Sequence, residues 1–183
     1  AAIAEYYHIY GDGIIDVDFN IKLAPKAPEL IRIGMQTGIS KSLVNTRFYG
    51  NGPHENYSDR NHSAFKGIHA METDALTESY VKPQECGKRT GVEWLALKGN
   101  NGEQLNIIAK DEIAFSGWPF SQETLVSSNF TWQLKDAEYY TLNIDLKQAG
   151  ESGNDSWSKK ARPIEAYRLL DKEYSYGFRI AVE

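Results

Sequence analysis

The sequence predicts an all-β fold, an antiparallel sandwich with at most one short helical turn. Two segments, 15–23 and 174–182, alternate between large apolar residues and small or polar ones. A period of two is typical of strands that bury one face and expose the other. Stretches rich in glycine and asparagine, such as 99–102, separate the apolar segments and favour tight turns. Many short strands joined by such turns are typical of an antiparallel sandwich.

Further strands are predicted from shorter apolar segments bounded by turn residues. They span residues 31–38, 42–50, 91–97, 103–109, 128–134, 139–146 and 164–170. Residues 5–10 are also strand-like, and Asn100-Asn101-Gly102 between two apolar runs predicts a hairpin. The one helix candidate is a single turn around 121–125.

Length and composition indicate one globular domain. The chain has 183 residues, 41% of them hydrophobic and 25% charged, and no linker-like segment, so residues 1–183 are predicted to form a single domain. The net charge of -5 argues against nucleic-acid and anionic-membrane partners, and no apolar run could span a bilayer. Cys86 is the single cysteine and fits a reducing compartment, which favours the cytoplasm and leaves the periplasm open. Because no methionine precedes the first strand-like residues, we expect a longer parent polypeptide.

Catalytic residue types are present without a complete constellation. Nucleophilic catalysis needs Ser or Cys beside a histidine held by a carboxylate. The chain has no Gly-x-Ser-x-Gly motif, and Cys86 has no base beside it in sequence, so a small semi-buried residue is favoured there. The four histidines lack metal-ligand spacing, and no metal site is predicted. The remaining candidates for general acid and base are Glu55, Asp59, Glu85, Glu93 and Asp155.

Two polar segments, 52–60 and 83–89, interleave carboxylates with arginines. We favour loops pinned by their own side chains over acid–base catalysis. We also expect the two segments to meet and share ion pairs, for example Glu85 with Arg60 or Glu55 with Arg89.

The strongest site candidate is the glycine-rich loop 150–158, which carries Trp157 beside Asn154 and Asp155. An indole face offers a flat apolar platform for the C–H face of a pyranose, and polar neighbours can reach its hydroxyls. Core packing of Trp157 is the alternative, and the residues alone leave both open. Three other tryptophans sit in or beside predicted strands, where we expect core packing. They are Trp94, Trp118 and Trp132.

Three segments together resemble the final domain of the large bacterial β-galactosidases of glycoside hydrolase family 2. The resemblance covers roughly residues 30–183, and the segments occur in the family's order. They are Phe48-Tyr49-Gly50-x-Gly52-Pro53-His54-Glu55-Asn56-Tyr57-x-Asp59-Arg60, Tyr80-Val81-x-Pro83-Gln84-Glu85-x-Gly87-x-Arg89 and Asp155-Ser156-Trp157-Ser158. The sequence departs from the family at Cys86, where asparagine is expected, and at Phe130, where histidine is common.

The resemblance implies a β-supersandwich of the galactose-mutarotase-like type, in which Trp157 stacks on the galactoside and Asn154 and Asp155 support its loop. It implies structural roles for the other matching residues. These are Gly52, Pro53, Glu55, Asn56, Tyr57, Asp59, Arg60, Pro83, Glu85, Gly87 and Arg89.

The same resemblance implies that the catalytic machinery lies elsewhere. The two glutamates of the family's retaining mechanism, with its divalent-metal and sodium sites, belong to other domains, above all a (β/α)₈ barrel. This chain is then the later portion of a longer domain, inactive by itself, with the rest of a β-galactosidase and a galactoside as partners, and a homo-oligomer is expected in the full enzyme. Alternatives are a free-standing carbohydrate-binding module and a mutarotase-like epimerase using His54 and Glu55.

Overall fold

The computed structural model describes residues 1–153, 158 and 161–183. This part of the chain contains nine β-strands and one short α-helix, α1 (Gln122–Ser127). The strands are β1 (Ala2–Ile9), β2 (Ile15–Lys22), β3 (Arg32–Ser40), β4 (Asn45–Gly52), β5 (Phe65–Glu72), β6 (Arg89–Lys98), β7 (Gln104–Trp118), β8 (Tyr139–Gln148) and β9 (Glu173–Val182). Short 3-10 turns occupy Thr73–Leu76, Thr131–Gln133 and Glu165–Tyr167.

All strand pairs are antiparallel, and β7 organises the sheet. The strand order is β1-β2-β9-β7-β6-β4-β5, with β8 joining β7 to β3. The first half of β7 pairs with β9 from Leu105 to Ala109, and its second half pairs with β8 from Ala114 to Trp118. Two groups of strands therefore pair with successive parts of β7. The group β9-β2-β1 pairs with its first half, and the group β8-β3 pairs with its second half. The all-β antiparallel class is confirmed, and the arrangement is consistent with a sandwich.

One contiguous apolar cluster fills the space that the strands enclose. It draws buried residues from seven strands, all except β1 and β5, among them Phe48, Leu95, Phe115, Leu142 and Phe178. The Phe48 and Phe115 rings meet edge to face with their centroids 5.1 Å apart. Burying such a side chain stabilises the fold by roughly 1.5–3 kcal/mol. The alternation in β2 and β9 is confirmed as the pattern that feeds this core.

A second, smaller cluster packs α1 against the end of β7. Its buried members are Cys86, Trp118, Phe120 and Leu125. Ser121 caps the helix, because its Oγ accepts a hydrogen bond from the Thr124 amide at 3.1 Å. The predicted helical turn around 121–125 is confirmed, and so is core packing of Trp118.

The predicted strand 128–134 is wrong. This segment contains a 3-10 turn at Thr131–Gln133, in which Trp132 is 78% exposed, so core packing of Trp132 is wrong too. The Phe130 and Trp132 rings stack on each other at 6.1 Å, and Gln133 accepts hydrogen bonds from the Asn129 and Phe130 amides. Local side-chain bonds thus replace strand pairing here.

Three further differences concern strands. The predicted strand 164–170 is wrong, since it contains the 3-10 turn Glu165–Tyr167. Strand β5 was not predicted, because Gly67 and His69 occupy positions where an apolar face would be recognised. Strand β7 continues beyond the predicted 103–109 to Trp118, and residues 113–118 are buried on both faces, so they do not alternate.

Helices in the described ranges are all too short or too polar to cross a membrane.

Candidate functional site

The two polar segments 52–60 and 83–89 lie against each other. The Asn56 amide donates to the Lys88 carbonyl at 2.7 Å, and the Gly87 amide donates to Glu55 Oε2 at 2.7 Å. Arg89 Nε donates to the Pro53 carbonyl at 3.2 Å. Backbone and side-chain bonds therefore join the two segments along much of their length.

The specific ion pairs that the sequence suggested do not form in the described part of the chain. Arg60 pairs with Glu55 of its own segment, with 2.6 Å between Nη2 and Oε1. Glu85 Oε2 instead accepts from the Tyr57 hydroxyl at 3.1 Å. Arg89 is buried, and its Nη1 donates to the Leu76 and Gly87 carbonyls at 2.7 Å each. Arg89 does not pair with Glu55 because backbone carbonyls already accept the hydrogen bonds of its guanidinium group.

Glu55 is a fully engaged carboxylate. Burial by itself would raise its pKa, but hydrogen bonds from Tyr80, Arg60 and the Gly87 amide outweigh burial and hold the pKa below its ordinary value of 4.5. A carboxylate with these partners stays ionised and has no proton to donate near neutral pH. Its geometry suits fixing the loop rather than acid catalysis.

Asn56 and Gly87 are each required by local geometry. Asn56 is fully buried, and its Oδ1 accepts from the Thr90 amide at 3.1 Å while its Nδ2 donates to the Asn51 and His54 carbonyls at 3.0 Å each. Gly87 has a φ of +71°, and a Cβ there would lie 2.0 Å from the Leu76 carbonyl oxygen. Glycine tolerates this left-handed conformation and leaves space for the carbonyl.

A buried charge cluster beside these segments was not predicted from the sequence. Lys88 and Asp145 are both buried and hydrogen-bonded to each other, and Arg32 Nε lies 2.9 Å from Asp145 Oδ1. Burial lowers the pKa of Lys88, and the charge of Asp145 opposes that effect. The three residues come from β3, the 83–89 segment and β8, so only the folded chain brings them together.

Both polar segments reach the beginning of the loop that carries Trp157. Asp59 Oδ2 accepts a hydrogen bond from the Ser152 amide at 2.6 Å. Gln148 Nε2, at the end of β8, donates to Glu85 Oε2 at 3.0 Å. The Gly150 amide donates to the Tyr167 carbonyl at 2.8 Å. We call Asp59, Glu85, Gln148, Gly150 and Ser152 the loop base.

The far side of the loop returns close to its start. A Cβ on Gly153 would lie 1.9 Å from the Ala161 carbonyl oxygen, so the backbone of the two sides is in direct contact there. The three proposed site residues Asn154, Asp155 and Trp157 lie between these points, outside the described residues. Their roles stay predictions.

A cavity of about 480 Å³ opens next to the loop base. Its lining includes Tyr57, Ser58, Lys88, Gln148 and Tyr167. Tyr57 and Gln148 both contact Glu85, so the wall of the cavity and the loop base share side chains. The residues that hold the loop and those that line the cavity form one continuous region.

The remaining catalytic candidates do not form a reactive pair. Cys86 is buried, and burial raises the pKa of its thiol to about 11. His54 is exposed and bonds to Ser63 Oγ at 2.9 Å, whereas the neighbouring Glu55 is buried. Glu93 forms an exposed ion pair with Lys66. Across residues 1–153, 158 and 161–183, no cluster of three or more His, Cys, Asp or Glu side chains is placed to hold a metal ion.

Comparisons with known proteins point to one family. A family model described as the beta galactosidase small chain matches residues 3–180. The beta-galactosidase of Actinobacillus pleuropneumoniae is 31% identical over 172 residues, which cover 94% of this chain and 16% of the relative. That of Photobacterium profundum is 31% identical over 176 residues, or 95% of this chain and 16% of the relative. That of Priestia megaterium is 29% identical over 157 residues, or 86% and 15%. The chain thus spans about one sixth of these relatives' length.

Proposed function

Since this chain belongs to the β-galactosidase small-chain family, we propose that it is the non-catalytic C-terminal domain of a family 2 β-galactosidase and completes that enzyme's active site with Trp157. The substrate class is then terminal β-D-galactosides. The chemistry is hydrolysis with retention, carried out by two glutamates on the remaining polypeptide.

The observation that carries the proposal is the convergence of both polar segments on the loop base. Asp59 from one segment holds Ser152 at 2.6 Å, and Glu85 from the other holds Gln148 at 3.0 Å. Two carboxylates, one from each segment, thus hold the loop base of a short polar loop whose sequence offers one large flat ring, Trp157. A rigid root suits a loop that must present an indole face at a fixed place.

The chemical state of the other candidate residues supports a non-catalytic role. Both carboxylate oxygens of Glu55 accept hydrogen bonds, and the Cys86 thiol is buried with a raised pKa. His54 and Glu55 differ in exposure, which disfavours the facing acid and base that a mutarotase-like reaction requires. The relatives are about six times longer than the matched region, which leaves room for a catalytic barrel.

Under this proposal the chain works through its partners. The rest of the same polypeptide, especially its barrel, supplies the reacting carboxylates, the hydrogen-bonding wall of the sugar pocket and the family's divalent-metal and sodium sites. Trp157 packs on the C–H face of the galactosyl ring and excludes water from one side. The 183 residues act as one domain, within a homo-oligomer of the parent enzyme.

The test is Trp157→Ala in the parent enzyme. Loss of the stacking face should lower kcat/KM for an aryl β-galactoside by about 10- to 150-fold, the range expected for removing roughly 1.5–3 kcal/mol of aromatic burial. Trp157→Phe should keep part of the activity, because it keeps an aromatic face. The control is Trp132→Ala, which removes an indole that is 78% exposed elsewhere on the chain. Unchanged kinetics for Trp157→Ala would refute the proposal.

Calorimetric titration of the isolated chain with galactose and lactose separates this function from a free-standing carbohydrate-binding module. We expect binding weaker than millimolar, because a single stacking face cannot offset the entropy lost on association. Sub-millimolar affinity, abolished by Trp157→Ala, would favour the module.

A further inference from the structure

We propose that Asp59 is a positioning residue for galactoside hydrolysis, because its carboxylate fixes the root of the loop that carries Trp157. This inference rests on the function proposed above and deepens it. Asp59 lies 93 residues from Ser152 in sequence, and its Oδ2 accepts from the Ser152 amide at 2.6 Å. A charged acceptor makes this a stronger bond than a neutral backbone pair would be.

Asp59 is itself held in place. It sits in a tight turn in which the Arg60 amide donates to the Tyr57 carbonyl at 3.0 Å. The Arg60 guanidinium lies 4.4 Å from the centre of the Tyr57 ring, and its Nη2 pairs with buried Glu55. Tyr57 is 2% exposed and hydrogen-bonded to Glu85. Asp59 therefore lies in a turn whose neighbouring side chains are held by several contacts, as a residue that supports a loop requires.

Gly150 provides an independent sign of the same contact. A Cβ at this position would lie 2.5 Å from Asp59 Oδ2 and 3.0 Å from Tyr167 Cβ. Since Gly150 does not adopt a positive φ, the close approach of the Asp59 carboxylate and of Tyr167 Cβ, and not the backbone conformation, disfavours a larger residue at this position. Asp59 therefore contacts the loop backbone twice: it accepts a hydrogen bond from the Ser152 amide, and it packs closely against Gly150.

A positioning role differs from a merely structural one in its coupling to Trp157. If Asp59 acts through the loop, its loss matters only while the indole is present. If Asp59 only stabilises the fold, its loss affects activity equally whether or not Trp157 is there. A double-mutant cycle measures this difference directly.

The experiment compares four forms of the parent enzyme, wild type, Asp59→Ala, Trp157→Ala and the double variant, by steady-state kinetics with an aryl β-galactoside. We expect Asp59→Ala to lower kcat/KM about 10-fold, the lower end for one hydrogen bond to a charged group. The variant should still unfold in one cooperative thermal transition, with a small decrease in Tm. In the Trp157→Ala background the same substitution should change kcat/KM less than about 2-fold. Asp59→Asn keeps an acceptor oxygen and should recover most of the activity.

Two further variants keep the result decisive. Asp12→Ala removes a carboxylate that accepts from a backbone amide, that of Ile14 at 3.2 Å, in the exposed β1–β2 turn, and it should leave the kinetics unchanged. Gly150→Ala displaces the Asp59 carboxylate from the loop side and should reproduce the loss if Asp59→Ala does not fold. Equal losses in both backgrounds, or no loss for Asp59→Ala beside a clear loss for Trp157→Ala, would overturn the inference alone. No loss for Trp157→Ala would overturn the proposed function and the inference with it.

Discussion

Replacing Lys88 by methionine tests the buried charge cluster beneath the loop base. Lys88 and Asp145 are 1% and 0% exposed, and the Asp145 carboxylate is shared between Lys88 and Arg32. Lys88→Met keeps a similar shape but leaves a buried carboxylate with a single cation. Breaking a buried pair in this way costs about 3–5 kcal/mol. Because Arg32 remains 2.9 Å from Asp145, we expect the lower end, ~3 kcal/mol or about 6–12 °C in Tm.

Urea unfolding of the chain, followed by tryptophan fluorescence, measures this loss. The matched control is Lys110→Met, which breaks an ion pair with Asp18 whose side chains are 45% and 46% exposed, and it should cost less than about 1 kcal/mol. Adding Asp145→Asn to Lys88→Met removes the buried carboxylate that has lost one of its two cations, and it should restore much of the stability. Equal effects of Lys88→Met and Lys110→Met, or a double variant less stable than Lys88→Met, would refute the reasoning.

The remaining predictions concern the segment that holds the loop base. Gly87→Ala places a Cβ 2.0 Å from the Leu76 carbonyl at a φ of +71°, and it should lower the unfolding free energy by about 2–4 kcal/mol in urea titrations; a loss near zero would contradict this geometry. The pKa of Glu55 is held below 4.5, so its stabilising effect is complete above pH 4.5 and is lost as pH falls through the folded-state pKa. Glu55→Gln should therefore flatten the acid side of the stability profile, and an unchanged slope would count against the network. Cys86, with a pKa of about 11, should resist a thiol reagent such as Ellman's until urea unfolds the chain.

Strands were predicted correctly from the sequence where one face of the strand is buried and the other is exposed to solvent. Strands β2 and β9 meet this condition, and their alternation is confirmed by buried Val17 and Phe178. The pattern fails where both faces are buried, as in the second half of β7, or where local bonds compete. Phe130 and Trp132 look like strand residues but stack on each other in a 3-10 turn.

The two polar segments of the site could be recognised from the sequence, but the individual hydrogen bonds between them could not. The acidic and basic residues of 52–60 and 83–89 indicated that the two loops are pinned, and they do contact each other. Which atoms meet depends on the packed backbone, as when the Leu76 carbonyl takes the hydrogen bond of Arg89. The Lys88–Asp145 pair likewise joins positions that no local pattern connects.

The most direct measurement is a structure of the parent enzyme bound to a galactosyl ligand. Because a stacked ring contacts carbon atoms at van der Waals distance, the indole of Trp157 should lie within about 4 Å of the C–H face of the sugar. The two carboxylates supplied by the barrel should flank the glycosidic bond. An indole packed among core residues of the sandwich, with the sugar bound elsewhere, would contradict the account.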